Sequence, residues 1–384
     1  MQSSRILVTC PKGLPPYLKQ ELTALGFPIV DETAAGVETA GSLAGAMILN
    51  LRLRTGHRVL FHLQSFTACD ANELYASVLS IPWEEYLEPH EYLSVHSSVD
   101  NASIDNPLFA NMKCKDAIVD RMRKKTGRRP DSGSEMSGAV VFLYWKGDAC
   151  SIYLDTSGEP LAKRGYRRIP MKAPMQETLA AAVILESDWA GEGSFINPMC
   201  GSGTLAIEAT LIALNRAPGI LRSNFGFMHL KGFRRDDWEA LRAGAKAEVK
   251  RGLRGRIIAT DSNPAAVQAA RKNAMTAGVD QLIEFAVCDF RETPVPGGGG
   301  IVMMNPEYGE RLGKIHELAS TYKAIGDFLK QKCQGYSGYV FTGNLDLAKK
   351  IGLKASSRTV FFNGKIECRL LKYALYEGSR QHGI

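Results

Sequence analysis

The chain has 384 residues, about twice an ordinary single domain, so two or three compact units are expected. Hydrophobic residues at 45% and charged residues at 23% exclude extended disorder and allow a sizeable buried core. The excess of 47 basic over 40 acidic side chains, +7, leans toward a polyanionic partner without selecting one.

The first twenty residues lack the apolar run of a signal peptide, and no stretch reaches the roughly 18 uncharged apolar residues of a spanning helix, so a cytoplasmic protein without membrane contact is expected. Cysteines at 10, 69, 114, 150, 200, 288, 333 and 368 form no CxxC pair or Cys/His cluster. Neither a metal site nor a disulfide framework is indicated, and the thiols are expected to be reduced and mostly buried.

Three regions separate by pattern. In residues 1–60, Ile6, Leu7 and Val8 read as a strand, and Leu14, Leu18, Leu22 and Leu25 recur at helical spacing up to Gly26. Gly36 to Thr39 and Ala44 to Arg54 then read as strand and helix, a small α+β unit. Residues 61–160 mix short strands (Tyr92 to Ser97, Val140 to Lys146, Ala149 to Asp155) with strongly basic helices. Arg121, Arg123, Lys124, Lys125, Arg128 and Arg129 follow the apolar positions Ala117, Ile118 and Met122. Such a run reads either as a solvated helix end or as a phosphate-binding surface. A second cluster, Lys163, Arg164, Arg167, Arg168 and Lys172 around Tyr166, favours the phosphate reading, because two basic stretches bracketing one domain suit a nucleic acid backbone.

Residues 161–384 alternate strand and helix patterns, which implies a mostly parallel sheet covered on both faces. The expected strands are Ser194 to Asn197, Arg256 to Thr260, Ile283 to Val287, Ile301 to Met304, Gly338 to Thr342, Thr359 to Phe362 and Ile366 to Tyr373. Asn363-Gly364 between the last two predicts a tight hairpin with φ > 0 at both positions, and so a sheet ending in one reversed strand. Gly297 to Gly300 reads as a flexible surface connection.

The strongest local signal is Asn197-Pro198-Met199-Cys200-Gly201-Ser202-Gly203-Thr204, between an apolar strand and the helix Leu205 to Leu214. Glycines let backbone approach a ligand, and the helix start beyond them offers unpaired N–H groups where open sheets bind cofactors. The loop lacks both GxxxxGK[ST] and the third glycine of a dinucleotide site. Asp261 and Asp289 each follow a strand and face the same crevice in a doubly wound sheet, where the first can accept from ribose hydroxyls and the second can contact an adenine. The next strand end carries Asn305-Pro306-Glu307-Tyr308-Gly309-Glu310-Arg311-Leu312. There a side-chain carbonyl and a backbone carbonyl can accept both protons of an exocyclic amine while its base lies against Tyr308.

With these loops, the whole chain resembles the THUMP-containing guanine-N2 methyltransferases of 23S rRNA, the RlmL-like group of class I S-adenosylmethionine-dependent enzymes. The resemblance also rests on Lys113-Cys114-Lys115-Asp116-Ala117-Ile118-Val119-Asp120, Asp155-Thr156-Ser157-Gly158, Arg164-Gly165-Tyr166-Arg167, Pro174-Met175-Gln176-Glu177-Thr178-Leu179-Ala180-Ala181 and Arg216-Ala217-Pro218-Gly219. It implies a ferredoxin-like unit over 1–60, a THUMP RNA-binding domain over 61–160 and a Rossmann-like class I methyltransferase domain with a reversed last strand over 161–384. It also implies S-adenosyl-L-methionine as cofactor, held by Asn197, Pro198, Cys200, Gly201, Gly203, Thr204, Asp261, Asp289 and Asn305, with Gln176, Glu177 and Thr178 close by. Asn305, Pro306 and Tyr308 form the implied catalytic set, and Lys113 and Lys115 join the two basic stretches as RNA contacts. The expected partner is 23S rRNA, free or inside an assembling large subunit, with no obligate protein partner.

Two positions depart from the family pattern. Asn197 stands where Asp is usual, and Glu307 replaces the second proline of Asn-Pro-Pro-Tyr, freeing a φ angle and adding an anion. Other readings are a DNA adenine-N6 or protein-amide methyltransferase with the same amine-binding loop, or an RNA-binding assembly factor with weakened catalysis.

Overall fold

The computed structural model describes residues 3–104, 106–169, 171, 175–308 and 315–376. Lys172, Pro174 and Gly309 to Leu312 of the predicted loop lie outside the described residues. The chain forms two compact units, one from Met1–Pro11, Leu18–Ala162 and Pro218–Ala245, the other from Lys12–Tyr17, Lys163–Ala217 and Lys246–Ile384. No described helix is long and apolar enough to cross a membrane.

Elements β1 (Ser4–Thr9), α1 (Pro15–Ala24), β2 (Asp31–Thr33), β3 (Gly36–Gly41), α2 (Leu43–Arg52), β4 (Arg58–Thr67), α3 (Ala71–Ser80), β5 (Leu93–Asp100), α4 (Pro107–Thr126), β6 (Ser132–Gly133), β7 (Ala139–Lys146) and β8 (Ala149–Asp155) follow in chain order. The eight strands form one sheet ordered β2-β3-β1-β4-β8-β7-β5-β6, so residues on both sides of position 60 share a single sheet. Its buried side carries Ile6, Val8, Val59, Phe61, Val141, Leu143, Ile152 and Leu154. The sequence pattern hides β4 because a bulge between His62 and Gln64 breaks its alternation. Helix α4 buries Ala110, Cys114, Ala117, Ile118 and Met122, which leaves its basic last turn outward.

The second unit contains α5 (Glu177–Glu186), β9 (Ser194–Pro198) and α6 (Thr204–Ala213). After α7 (Arg235–Ala247) come β10 (Ile257–Asp261), α8 (Pro264–Ala277), β11 (Ile283–Val287), β12 (Gly300–Met304), α9 (Ile315–Lys332), β13 (Tyr336–Thr342), α10 (Leu345–Lys349), β14 (Ser357–Asn363) and β15 (Ile366–Ala374). The sheet order is β11-β10-β9-β12-β13-β15-β14. Neighbours from β11 to β13 are parallel, and β15 runs antiparallel to both β13 and β14. The reversed strand is thus last in the chain and next to last in the sheet. Every residue of β9 is buried, as expected for a central parallel strand covered on both faces. Beside it, Ile258, Val302, Met304 and Val340 pack with Tyr322, Ile325 and Leu329 of α9.

Two expectations need correction. Asn363 pairs with Ile366, so the central turn residues are Gly364 and Lys365, and of the Asn363-Gly364 pair only Gly364 has a positive φ, at 62°. Asn363 is instead the last residue of β14, and its side chain is used elsewhere. The glycine run is not a simple surface connection, because Gly300 opens β12 so close to β9 that a Cβ there would lie 2.0 Å from Ser194 O.

Pro218–Ala245, which the sequence reading placed in the third region, packs in the first unit. Arg222 donates to the carbonyls of Ser157, Glu159 and Pro160 at 2.9, 2.9 and 3.1 Å, and the Phe227 N–H donates to Thr156 O at 3.0 Å. Trp238 meets the Phe225 and Phe227 rings edge-on, with centroids at 5.4 and 4.9 Å.

Candidate active site

In the second unit, progress across the sheet reverses between β9 and β12, the position where open α/β sheets leave a crevice at their carboxyl ends. Asn197 lies one residue before the end of β9 and Asn305 one residue past the end of β12. The Asn197 Nδ2 donates to Met303 O at 2.9 Å, tying the two strands together. Its Oδ1 is buried without a partner, and so is the Oδ1 of Asn305. A buried carbonyl lacking a donor costs free energy, so two of them at one switch point indicate a place shaped for donors from a ligand.

The loop after β9 is wound tightly. Met199, Gly201 and Gly203 have φ of 56°, 54° and 83°. Cys200 N–H donates to Thr260 O at 2.9 Å, and Gly201 N–H donates to Asp261 Oδ2 at 3.0 Å. The two glycines serve different purposes. A Cβ on Gly203 would lie 2.8 Å from Ala270 Cβ, so this residue lets α6 start against α8, whereas a Cβ on Gly201 would meet nothing within 4 Å. The open side of the loop is therefore at Gly201. Pro198 is buried, and Thr204 is buried with its Oγ1 accepting from Arg167 Nη2 at 3.1 Å. Burial pushes the Cys200 thiol well up, with Asp261 adding to the effect, so it stays a neutral loop residue.

Asp261 ends β10, and its second oxygen accepts from Asn263 N–H at 2.9 Å. The carboxylate thus shapes both loops while keeping further lone pairs. Asp289 accepts from Arg291 N–H at 2.9 Å, and the Arg291 guanidinium grips both its oxygens at 2.7 and 2.8 Å. That hydrogen bonding holds the Asp289 carboxyl below its usual range.

Past β12, Pro306 is buried and Glu307 points outward. Tyr308 leans on the end of the sheet: a Cβ on Gly343 would lie 3.1 Å from its ring, and its hydroxyl accepts from Asn363 Nδ2 at 2.8 Å. Asn344 Nδ2 donates to the Tyr308 carbonyl at 3.3 Å. Asn344 and Asn363 gave no sequence signal beyond turn chemistry, since only folding brings them to the loop.

Two residues of the second basic cluster are corrected. Arg164 is 1% exposed and pairs with Glu208 at 3.6 Å, and Glu208 also accepts from Tyr166 at 3.0 Å. Arg167 pairs with Glu177 at 3.1 Å and donates to Met175 O at 2.6 Å. A guanidinium buried on a carboxylate is not presented to a phosphate, so both arginines brace the segment leading into α5. Asn273 continues the brace: its Oδ1 accepts from the N–H groups of Arg168 and Ile169, and its Nδ2 donates to Ile169 O and Ser202 O. Glu177 lies in this network, with burial raising its carboxyl and Arg167 pulling it back. Gln176 is exposed, and Thr178 Oγ1 is buried without a partner.

In the first basic stretch, Arg121 is also committed, with its fork on both Glu84 oxygens at 2.9 and 2.7 Å. Arg123 pairs with Asp120 at 3.2 Å and Lys115 with Asp116 at 3.1 Å, both near the surface. Lys113 sits over Phe109. Lys124, Lys125, Arg128, Arg129, Lys163 and Arg168 are exposed.

An adenosyl amino acid fits these groups. Gly201 leaves open backbone, the Asn197 and Asn305 oxygens need donors, and Asp261 and Asp289 supply acceptors at the next two strand ends. Three family models match the chain: an RlmL ferredoxin-like domain over 5–60, a THUMP domain over 68–155 and an RMKL-like methyltransferase domain over 164–372. The chain is 39% identical to the ribosomal RNA large subunit methyltransferase K/L of Syntrophotalea carbinolica, covering 97% of this chain and 54% of that protein. It is 36% identical to a protein of Synechocystis sp. provisionally named an RNA methyltransferase, covering 96% of each chain. Among solved structures, a provisionally named methyltransferase crystallised with SAH superposes with a TM-score of 0.89 at 26% identity, over 99% of this chain and 100% of its own. The chain spans about half the length of the K/L relatives it matches. Its seven-stranded sheet with β15 reversed, the loops of Asn197 and Asn305 at the switch point, and a family model spanning more than half of its residues make it a member of the RMKL-like methyltransferase family, with ferredoxin-like and THUMP domains ahead of the catalytic one.

Proposed function

We propose that the protein transfers a methyl group from S-adenosylmethionine to the exocyclic N2 amine of a guanine in 23S rRNA, as free RNA or within an assembling large subunit in the cytoplasm. The cofactor supplies an electrophilic methyl group on a sulfonium. Gly201, Pro198, Cys200 and Thr204 form the backbone cradle beside it, with Gly203 setting the start of α6, Asn197 accepts from its amino acid end, and Asp261 and Asp289 accept from its ribose and adenine, with Gln176 and Thr178 close by. The observation that carries the reading is the Asn305 Oδ1, a buried carbonyl without a partner, one residue past β12.

The amine lone pair of guanine is delocalised into the ring. Asn305 Oδ1 and Pro306 O accept hydrogen bonds from its two N–H groups, which localises that pair toward the methyl carbon; as the N–C bond forms the S–C bond breaks, and the surplus proton leaves the nitrogen for water. Positive charge develops on nitrogen, and carbonyl dipoles fixed in advance stabilise it without a strong base. Tyr308, pinned through Asn363, offers its ring to the flipped base. In sequence the modules divide as 1–60, 61–160 and 161–384, with Pro218–Ala245 of the last packing in the first unit. The THUMP module contacts RNA through Lys113, Lys115, Arg123, Lys124, Lys125, Arg128 and Arg129, joined by Lys163 and Arg168.

Tritiated methyl incorporation into rRNA, duplex DNA and protein tests the reading, with label expected in rRNA alone. Label in DNA or protein alone refutes the substrate. Asn305→Ala is expected to cut turnover by at least 100-fold while calorimetry shows cofactor affinity within a few-fold. Equal loss of both contradicts the role given to this residue.

A further inference from the structure

The first unit holds a cavity of about 340 Å³ to which neither the family models nor the proposed reaction gives a purpose. It lies wholly in Pro218–Ala245, the stretch that falls inside the methyltransferase family model but packs with the ferredoxin-like and THUMP sheet. Part of its lining is aromatic. Trp238, 2% exposed, is held edge-on by Phe225 and Phe227, and Phe233 leans on Phe227 at 5.8 Å. Three cations, Arg222, Arg235 and Arg242, line it as well, with the single acid Glu239, and Arg235, Trp238, Glu239 and Arg242 share one face of α7.

These arginines are not equivalent. Arg222 is fixed by backbone carbonyls and stands 4.5 Å over Phe225. Arg235 is exposed and has no hydrogen bond or ion pair among the described residues. Arg242 reaches Glu239 with Nη1 at 3.2 Å, but its Nε is buried without an acceptor. A buried donor without an acceptor next to aromatic side chains suits a ligand with both a flat apolar face and an anion. The volume is at the small end of ligand sites, enough for one nucleotide and too little for a duplex.

We propose that this cavity takes one nucleotide of single-stranded RNA, its base against Phe233 and the Trp238 edge and its phosphate between Arg235 and Arg242. The exposed position of Arg235 leaves the strand free to continue outside. This rests on RNA being the substrate, and it adds an anchoring point that lies in sequence between the two methylating loops.

Fluorescence anisotropy with a labelled single-stranded rRNA fragment tests it in the full chain. Arg235→Ala and Arg242→Ala are each expected to weaken binding about tenfold, and the salt slope to fall by about 1 per arginine. Arg235→Lys restores part of the affinity. A duplex of the same sequence should compete poorly, and a free nucleoside monophosphate only at far higher concentration than the strand. Binding within twofold of wild type for both alanine variants overturns the site, and competition by the mononucleotide as strong as by the strand makes it a small-metabolite site instead. Methyl transfer is measured in parallel. Intact rRNA methylation with unchanged binding in the variants rejects the cavity alone, whereas arginine-dependent RNA binding without rRNA methylation rejects the methylation reading alone.

Discussion

At Asn197 the two ends of one carboxamide differ: its nitrogen joins β9 to β12 through Met303 O, and its oxygen is buried without a partner. An ionised Asp there could not donate to that carbonyl, so the carboxamide adds a strand-to-strand hydrogen bond that a carboxylate would lack. The two loop glycines separate packing from binding. Gly203→Ala, at φ 83° and against Ala270, is expected to cost about 3 kcal/mol of stability. Gly201→Ala places its methyl in the open crevice, so it should cost about 1 kcal/mol but weaken cofactor binding at least tenfold. Urea unfolding and calorimetry read the two effects, and retained affinity in Gly201→Ala would remove that residue from the cradle. The sequence pointed to both glycines as backbone freedom. It could not say which one faces α8, because that depends on where a helix some 65 residues further on comes to rest.

Between elements, the link from Lys163 to α5 shows how charge can mislead. Arg164 and Arg167 read as part of a basic surface, yet each is drawn inside by an acid from a helix, Glu208 on α6 and Glu177 on α5. Removing one member leaves a buried charge unmatched, so Arg164→Met is expected to destabilise by about 3–5 kcal/mol in urea unfolding. Adding Glu208→Leu should recover part of that loss. No recovery would mean that the pair acts through Tyr166 packing and not through charge. The α4 stretch behaves differently: Arg121 is committed to Glu84, while Lys124, Lys125, Arg128 and Arg129 remain outward beyond the buried stripe of Ala117, Ile118 and Met122.

Over the whole molecule, stability should depend on pH through buried imidazoles. Burial, with Arg58 adding repulsion, lowers the His57 pKa to about 4, and His62 and His96 are lowered in the same direction. The folded chain therefore holds His57 neutral, while an unfolded one protonates it near 6.5. Stability is retained above about pH 6.5, falls as the pH drops toward 4, and levels off below, with about 3 kcal/mol at stake from this residue. Asp155 and Glu177, whose carboxyls are raised by burial, act in the opposite sense, so the informative measurement is a difference. Thermal melts from pH 7.5 to 4 should decline less steeply for His57→Leu than for wild type, and identical slopes would place the acid sensitivity elsewhere.

Much of the catalytic sheet was legible before folding. A parallel strand buried on both faces is an apolar run, and each run ends at polar turn residues, so Asn197, Asp261, Asp289 and Asn305 stood out by local pattern alone. The sequence by itself thus determined the strand ends of the second unit and the residue types placed on them. Tertiary structure alone decided that β4 joins the first two regions in one sheet, that Pro218–Ala245 packs with that sheet, that two arginines turn inward, and that Asn363 holds Tyr308. The physical reason is range. Periodicity and turn chemistry are set by neighbours a few residues apart, whereas the partner that buries a charge or an aromatic ring is chosen by contacts between segments tens to more than a hundred residues distant.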